Sequence, residues 1–201
     1  AQSEGATGEK YVNTWMHVGF VLVDDEKMSK SLNNFFTIRE VLKLFAPEVL
    51  RYFIVASHYR SPLNFSDAAL QQAKSALERF YHTLKALPVV AAQGGEEFVT
   101  RFNSAMDDDF NTPEALAVLY ELAREINRAD KAGETEVAAG LAGRLRELAA
   151  ILGLLQDNPE KLKEYAKRAY QKQKEKKKLE KARLEKERLE QEREETKELN
   201  I

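Results

Sequence analysis

The chain has 201 residues, 43% of them hydrophobic and 32% charged, and a formal net charge of −2. That length is enough for one or two domains with a packed core. Its lack of cysteine excludes disulfides and thiolate metal sites, and no apolar run approaches the roughly 20 residues that a membrane-spanning helix needs.

The near-neutral total hides an uneven distribution. Residues 1–160 carry 16 Lys and Arg against 23 Asp and Glu, whereas residues 161–201 carry 15 against 10, so an acidic body precedes a basic tail. The N-terminal residues show no signal-peptide pattern. With the missing cysteines, this predicts a cytoplasmic protein without a membrane partner.

Residues 1–9 are small and polar, with Gly5 and Gly8, and read as a loop. Residues 11–23 are aromatic and β-branched and predict one or two buried strands. Next comes Glu26-Lys27-Met28-Ser29-Lys30-Ser31-Leu32-Asn33-Asn34, in which two lysines three apart alternate with hydroxyl residues. A cationic, hydroxyl-bearing loop between a strand end and a helix start suits a polyphosphate; the plainer reading is a solvated Lys/Ser turn. Thr37-Ile38-Arg39-Glu40 has the form of a capping box and opens a helix to about Phe45. In that helix Val41, Leu42 and Phe45 share one side. Pro47 suits the first position of the next helix, whose apolar stripe is Val49, Leu50, Phe53 and Ile54. Arg51, His58, Tyr59 and Arg60 lie near an exposed turn ending at Pro62.

Ser66 is a predicted N-cap, followed by Leu70, Ala73, Leu77, Phe80, Leu84 and Leu87 at helical spacing. Pro88 closes that helix, residues 91–95 form a flexible link, and Phe98, Phe102 and Met106 mark a shorter helix. Asp107-Asp108-Asp109 resembles a metal or acid–base cluster at first sight. Thr112 as N-cap, Pro113 as first helical residue and Glu114 at the positive helix end favour structural capping instead, with the positioning of a loop as a further role for the three carboxylates. Leu116, Leu119, Ala123 and Ile126 define a third helix; Val137, Leu141, Leu145, Leu148 and Leu152 define a fourth. Four amphipathic segments with short connections predict an antiparallel bundle. After Asn158-Pro159, Leu179, Leu184 and Leu189 recur every five residues and so wind around a helix without making a seam. The tail therefore reads as a long, charged, solvated helix. Lys174 to Lys178 are its candidate RNA-phosphate contacts.

Lys27-Met28-Ser29-Lys30-Ser31 resembles, letter for letter, the signature loop of the class I aminoacyl-tRNA synthetases. Trp15-Met16-His17-Val18-Gly19 upstream and Asp107-Asp108-Asp109-Phe110-Asn111-Thr112-Pro113-Glu114-Ala115-Leu116 downstream resemble the cysteinyl-tRNA synthetases in particular. The likeness runs in register over residues 1–157. A related family of mycothiol synthesis shares the loop, and the later Asp-Asp-Asp-Phe-Asn-Thr-Pro block argues against it.

The resemblance implies a mainly α chain in four parts. Residues 1–24 would be the end of an α/β nucleotide-binding catalytic domain, and 25–65 the lysine loop with a stem-contact region. Residues 66–157 would be the anticodon-side helical bundle, and 158–201 a charged helical extension. It implies that Lys30, and second Lys27, act catalytically by binding ATP phosphates. Ser29 and Ser31 would supply hydroxyl donors, and Trp15 and His17 would belong to the adenine side. A core position for Trp15 takes precedence over ligand contact. Arg51 and Arg60 are the candidates to face tRNA phosphate, and an ion pair takes precedence as the role of either. Asn33 stands where the family usually has Gly, a departure that the left-handed tolerance of Asn accommodates.

ATP is the implied co-substrate, with Mg²⁺. Zinc is implied only for the complete family enzyme, because three scattered histidines and no cysteine do not rebuild its site. The expected function is part of a cysteinyl-tRNA synthetase that activates cysteine and transfers it to tRNA. This chain would carry the ATP-loop and tRNA-docking regions without the complete active site, with the missing catalytic portion as a further partner. The other reading is a non-catalytic helical RNA-binding or scaffold protein derived from that segment.

Overall fold

A computed structural model describes residues 2–23, 25–29 and 37–156, together with seven isolated positions between 165 and 182. Within these the chain is mostly helical with one small sheet. The elements are α1 (Gln2–Thr7), β1 (Val21–Val23), β2 (Glu26–Lys27), α2 (Ile38–Val41), α3 (Pro47–Val55), β3 (Leu63–Phe65), α4 (Asp67–Leu84), α5 (Glu96–Asp107), α6 (Thr112–Lys131) and α7 (Thr135–Ile151).

The N-terminal residues form a short exposed helix rather than a loop. Thr7 Oγ1 donates to the Ser3 carbonyl, and Gly8 at φ 71° ends the helix with its N–H on Glu4 O. Gly8 is thus a helix stop, not a sign that no helix precedes it. The apolar segment that follows also departs from expectation. Only Val21–Val23 is a strand, and Trp15, Val18 and Phe20 are 68%, 73% and 66% exposed. Apolar character selects burial only where a neighbour covers it, and the described residues supply none here.

β1 is central in the sheet order β2-β1-β3. It pairs antiparallel with β2 (Leu22↔Lys27) and parallel with β3 (Val21↔Leu63). β3 follows Pro62 directly, so the stretch read as a turn runs straight into a strand. Beyond Thr37, helix α2 is a single turn; Leu44 N and Phe45 N both bond to Val41 O, which brings Val41 and Phe45 into the core. Pro47 occupies the start of α3. There Val49, Tyr52 and Phe53 are buried, while Ile54, assigned to the stripe from its spacing, is 49% exposed.

Ser66 caps α4 by accepting from Ala69 N at 3.1 Å. Leu70, Ala73, Leu77, Phe80, Leu84 and Leu87 are all buried. Phe102 of α5, Leu119, Leu122 and Ile126 of α6 and Leu145 of α7 join them in one core. Each such side chain contributes about 1.5–3 kcal/mol on burial. On α7 the apolar face starts at Ala138, and Val137 points outward.

Residues 90–95, most of which read as a flexible link, are laid against α7. Gln93 N donates to Gly140 O at 3.1 Å, and Arg144 Nε donates to Gly94 O at 3.1 Å. The approach needs glycine on the helix. A Cβ on Gly140 would lie 2.9 Å from Gln93 O, and one on Gly143 2.7 Å from Val90 O. The predicted boundary at Asn158-Pro159 and nearly all of the tail lie outside the described residues.

Candidate functional site

The lysine stretch leaves the sheet from a pinned turn. Asp25 sits at φ 64°, where its N–H donates to Asn64 Oδ1 at 3.1 Å and its carboxylate accepts from Asn64 Nδ2 at 2.7 Å. From there β2 runs back along β1, and Met28 N donates to Val21 O at 3.3 Å. Lys27 Nζ lies 4.9 Å from the centre of the Phe20 ring, a cation–π distance. Ser29 closes the described part; Lys30, Ser31 and Asn33 lie outside the described residues. The downstream anchor is the complete capping box. Glu40 Oε2 accepts from Thr37 N at 2.8 Å, and Glu40 N donates to Thr37 Oγ1 at 3.3 Å. Chiefly because of the Thr37 N–H, the Glu40 carboxyl lies below its ordinary pKa.

The Trp15–Gly19 motif meets this loop at the same end of the sheet. Gly19 N donates to Tyr59 O at 2.8 Å, and Leu63 N donates to Phe20 O at 2.9 Å. Gly19 presses so closely on Ser61 that a Cβ would overlap the Ser61 carbonyl. Residues 19–20 precede β1, residues 59–62 precede the parallel β3, and residues 28–29 follow the antiparallel β2. The register therefore brings all three to one edge. Trp15 and His17 lie on the exposed stretch leading into it. Trp15 contacts the Tyr11 ring at 6.3 Å and is not the core aromatic that the sequence favours.

Behind that edge, Asp109 gathers the turn after α3. It accepts from Arg60 Nε at 2.5 Å, Arg60 Nη2 at 3.1 Å and Tyr59 Oη at 2.6 Å. His58 Nδ1 accepts from Arg60 N at 3.3 Å, which leaves Nε2 facing Asp109 at 3.9 Å. The Arg60 hydrogen bond, then that of Tyr59, holds the Asp109 carboxyl at about 2. The same contacts raise the pKa values of Tyr59 and Arg60. Asp109 and Phe110 both stand at φ 54°, an uncommon backbone conformation for residues other than glycine. Asn111, not Thr112, caps α6 by accepting from Glu114 N at 3.3 Å; Thr112 instead donates to Ser57 O at 3.5 Å. The three aspartates are thus more than helix capping, since Asp109 binds a turn 49 residues earlier.

Of the two arginines singled out from sequence, Arg60 is committed to Asp109. Arg51 makes no ion pair among the described residues. It lies beside Gly153 and lines a cavity of about 430 Å³ with Ile38, Leu42, Leu50 and Ile54. The floor of that cavity holds Glu48, the one buried charged residue among those described. Glu48 accepts from Tyr81 Oη at 2.7 Å, from Gln156 N at 3.3 Å and from Leu155 N. Sequence reasoning missed Glu48 and Tyr59; it offered loop positioning for the aspartates but not the turn that Asp109 holds. For Asp109 the run of aspartates was the only local signal.

The histidines sit apart, with His17 before β1, His58 against Asp109 and His82 in the last turn of α4. No cluster of three or more His, Cys, Asp or Glu suited to a metal forms among the described residues. The residues present do not fit a zinc centre. Among the described residues no helix is long and apolar enough to cross a membrane.

Residues 1–75 match the model of the class I (C) tRNA synthetase catalytic domain, and residues 101–156 that of the DALR domain. The cysteine–tRNA ligase of Pseudomonas putida (strain W619) is 64% identical over 156 residues, which cover 78% of this chain and 34% of that protein. The cysteine–tRNA ligase of Azotobacter vinelandii (strain DJ) is 62% identical over 160 residues, covering 80% and 34%. The chain thus spans about a third of the length of these relatives. In fold it is similar to the LeuRS of Agrobacterium radiobacter K84, solved as a ternary complex with tRNA and LeuAMS. The TM-score is 0.52 at 21% identity, over 67% of this chain and 20% of that one. Through residues 1–156, the chain belongs to the cysteine–tRNA ligase family of class I tRNA synthetases.

Proposed function

We propose that this segment carries the ATP loop and the tRNA-docking surface of a cysteine–tRNA ligase. The observation that carries the reading is the edge where residues 28–29, Gly19–Phe20 and the turn at 59–62 converge, in a chain so similar to these ligases. In this reading the cysteine carboxylate attacks the α-phosphorus of ATP, the bond to pyrophosphate breaks, and tRNA then takes the cysteinyl group from the adenylate. Lys30 and Lys27 offset charge on the phosphoryl oxygens and the leaving group, and Ser29 and Ser31 donate hydrogen bonds. Trp15 and His17, on the exposed approach to the edge, face the adenine side. Mg²⁺ accompanies ATP as part of the substrate.

Residues 1–24 act as the end of the catalytic domain and residues 25–65 as the loop and stem-contact region. Residues 66–157 act as the antiparallel anticodon-side bundle and residues 158–201 as a charged helical extension. Arg51 and Arg60 face tRNA, and Arg51 carries more of the contact because Asp109 already balances Arg60. The setting is the cytoplasm. Alone, the 201-residue chain holds one side of the nucleotide and does not charge tRNA.

The test uses a chimera in which residues 1–156 replace the matching third of the Pseudomonas putida ligase. Lys30→Ala is expected to lower ATP–pyrophosphate exchange about 100-fold, as loss of a charge-stabilising donor does, while tRNA affinity changes less than about twofold. Unchanged exchange refutes the assignment.

A further inference from the structure

We infer that Asp109 is a positioning residue for the nucleotide segment, acting on Gly19 and Phe20 through the turn at residues 58–62. The Asp109 carboxylate holds that turn from its outer side by Tyr59 Oη and the Arg60 guanidinium. On its inner side the turn fixes the strand entrance by main-chain contacts. Tyr59 O accepts from Gly19 N, Phe20 O accepts from Leu63 N, and Ser61 packs directly on the Gly19 Cα. No side chain mediates this inner contact, so a shift of the turn passes into the motif without a flexible joint to absorb it.

Two further observations support a role beyond simple adhesion. The carboxylate is presented from consecutive left-handed residues, Asp109 and Phe110, and Phe110 is 53% exposed, so burial of its ring does not account for that backbone. Such conformations cost about 1–3 kcal/mol each and persist where the surrounding structure imposes them. The turn is also gripped twice from the same helix junction, since Thr112 Oγ1 reaches Ser57 O. The α5–α6 junction thus defines where residues 57–60 stand, and residues 59–61 define where Gly19 stands.

The inference rests on the ATP reading above, and the same chimera separates the two. Asp109→Asn keeps the shape but loses the charge that orders Arg60. It is expected to raise the KM for ATP about tenfold in pyrophosphate exchange, as a displaced positioning group does. The KM for cysteine and the affinity for tRNA should stay within about twofold. Asp109→Glu should recover part of the loss, and Tyr59→Phe, which removes one hydroxyl, should give a smaller rise of about threefold. In the 201-residue chain, Asp109→Asn should speed hydrogen exchange of the Gly19 amide about tenfold and leave that of Leu122 unchanged. If Lys30→Ala abolishes exchange while Asp109→Asn and Tyr59→Phe leave the KM for ATP unaltered, the inference is overturned and the ATP reading stands. If Lys30→Ala is silent, the ATP reading itself fails. Should Asp109→Asn not fold, Tyr59→Phe decides the matter, through its KM for ATP and the hydrogen-exchange rate of its Gly19 amide.

Discussion

Replacing Glu48 by alanine tests how the two family-matched segments are held together. The carboxylate sits at the start of α3, is 4% exposed, and accepts from the Tyr81 hydroxyl, the Leu155 N–H and the Gln156 N–H. Truncation leaves those donors facing a void. Gln156 is only partly buried and finds water, so two deep donors, Tyr81 Oη and Leu155 N, carry most of the cost. Each unsatisfied buried donor costs about 1–3 kcal/mol, and the lost carboxylate packing adds to this, giving a loss of about 3–5 kcal/mol. For a chain of this size, 1 kcal/mol corresponds to about 2–4 °C, so the unfolding midpoint should fall by about 6–20 °C. Urea unfolding of the full chain, followed by circular dichroism, gives the free energy directly. A Tyr81→Phe variant completes a double-mutant cycle, in which the two losses should be less than additive. A loss below about 1 kcal/mol for Glu48→Ala would show that other groups satisfy Tyr81 and Leu155, and would refute the assignment of Glu48 as the clasp.

Two further outcomes follow from specific contacts. Arg60 and Tyr59 hold the Asp109 carboxyl at about 2 instead of its ordinary 3.8. A depressed folded-state value means that ionised Asp109 contributes stability above about pH 4 and that this contribution is lost as the pH falls towards 2. The unfolding midpoint should therefore drop more steeply between about pH 4 and 2 in the native chain than in Asp109→Asn, and parallel curves would refute it. Gly143→Ala should push residues 90–92 off α7, cost about 1–3 kcal/mol by overpacking, and speed proteolytic cleavage within residues 88–95. Unchanged cleavage and stability would place the link elsewhere in solution.

What could be read from the sequence was what neighbours encode. The buried series from Leu70 to Leu87 follows helical spacing, and the Thr37–Glu40 box and the Ser66 cap each close over three residues. A cap one position off, Asn111 for Thr112, shows the limit of even local signals where two capping residues are adjacent. The contacts that build the site are of another kind. Arg60 meets Asp109 across 49 residues, and Glu48 meets Leu155 across 107. The run of aspartates marks Asp109 but not its partner, and nothing in spacing or composition marks Glu48, because the fold alone brings the partners together. Trp15, Val18 and Phe20 make the converse point: apolar residues specify that burial is favourable, but not what supplies it.

The ties between the two matched segments concentrate in one place. Glu48 reaches Leu155 and Gln156, Tyr52 meets Tyr120 hydroxyl to hydroxyl at 2.5 Å, Thr112 reaches Ser57 and Asp109 takes Tyr59 and Arg60. All four start from α3 or the turn after it, inside the catalytic-domain match, and end in residues 109–156, inside the DALR match. α3 is therefore packed into both segments, not a hinge between them. Its N-terminal side follows α2 and the Thr37 anchor of the lysine stretch, and its C-terminal side leads to the turn that grips Gly19. The ties made by α3 itself, through Glu48 and Tyr52, are buried or part-buried packing and hydrogen bonds that transmit displacement, whereas the tie at the turn includes the exposed Arg60–Asp109 ion pair. A change imposed on the helical half thus has two routes to the loop edge, one along the nine-residue α3 towards Thr37 and one from Asp109 through the turn after α3 to Gly19.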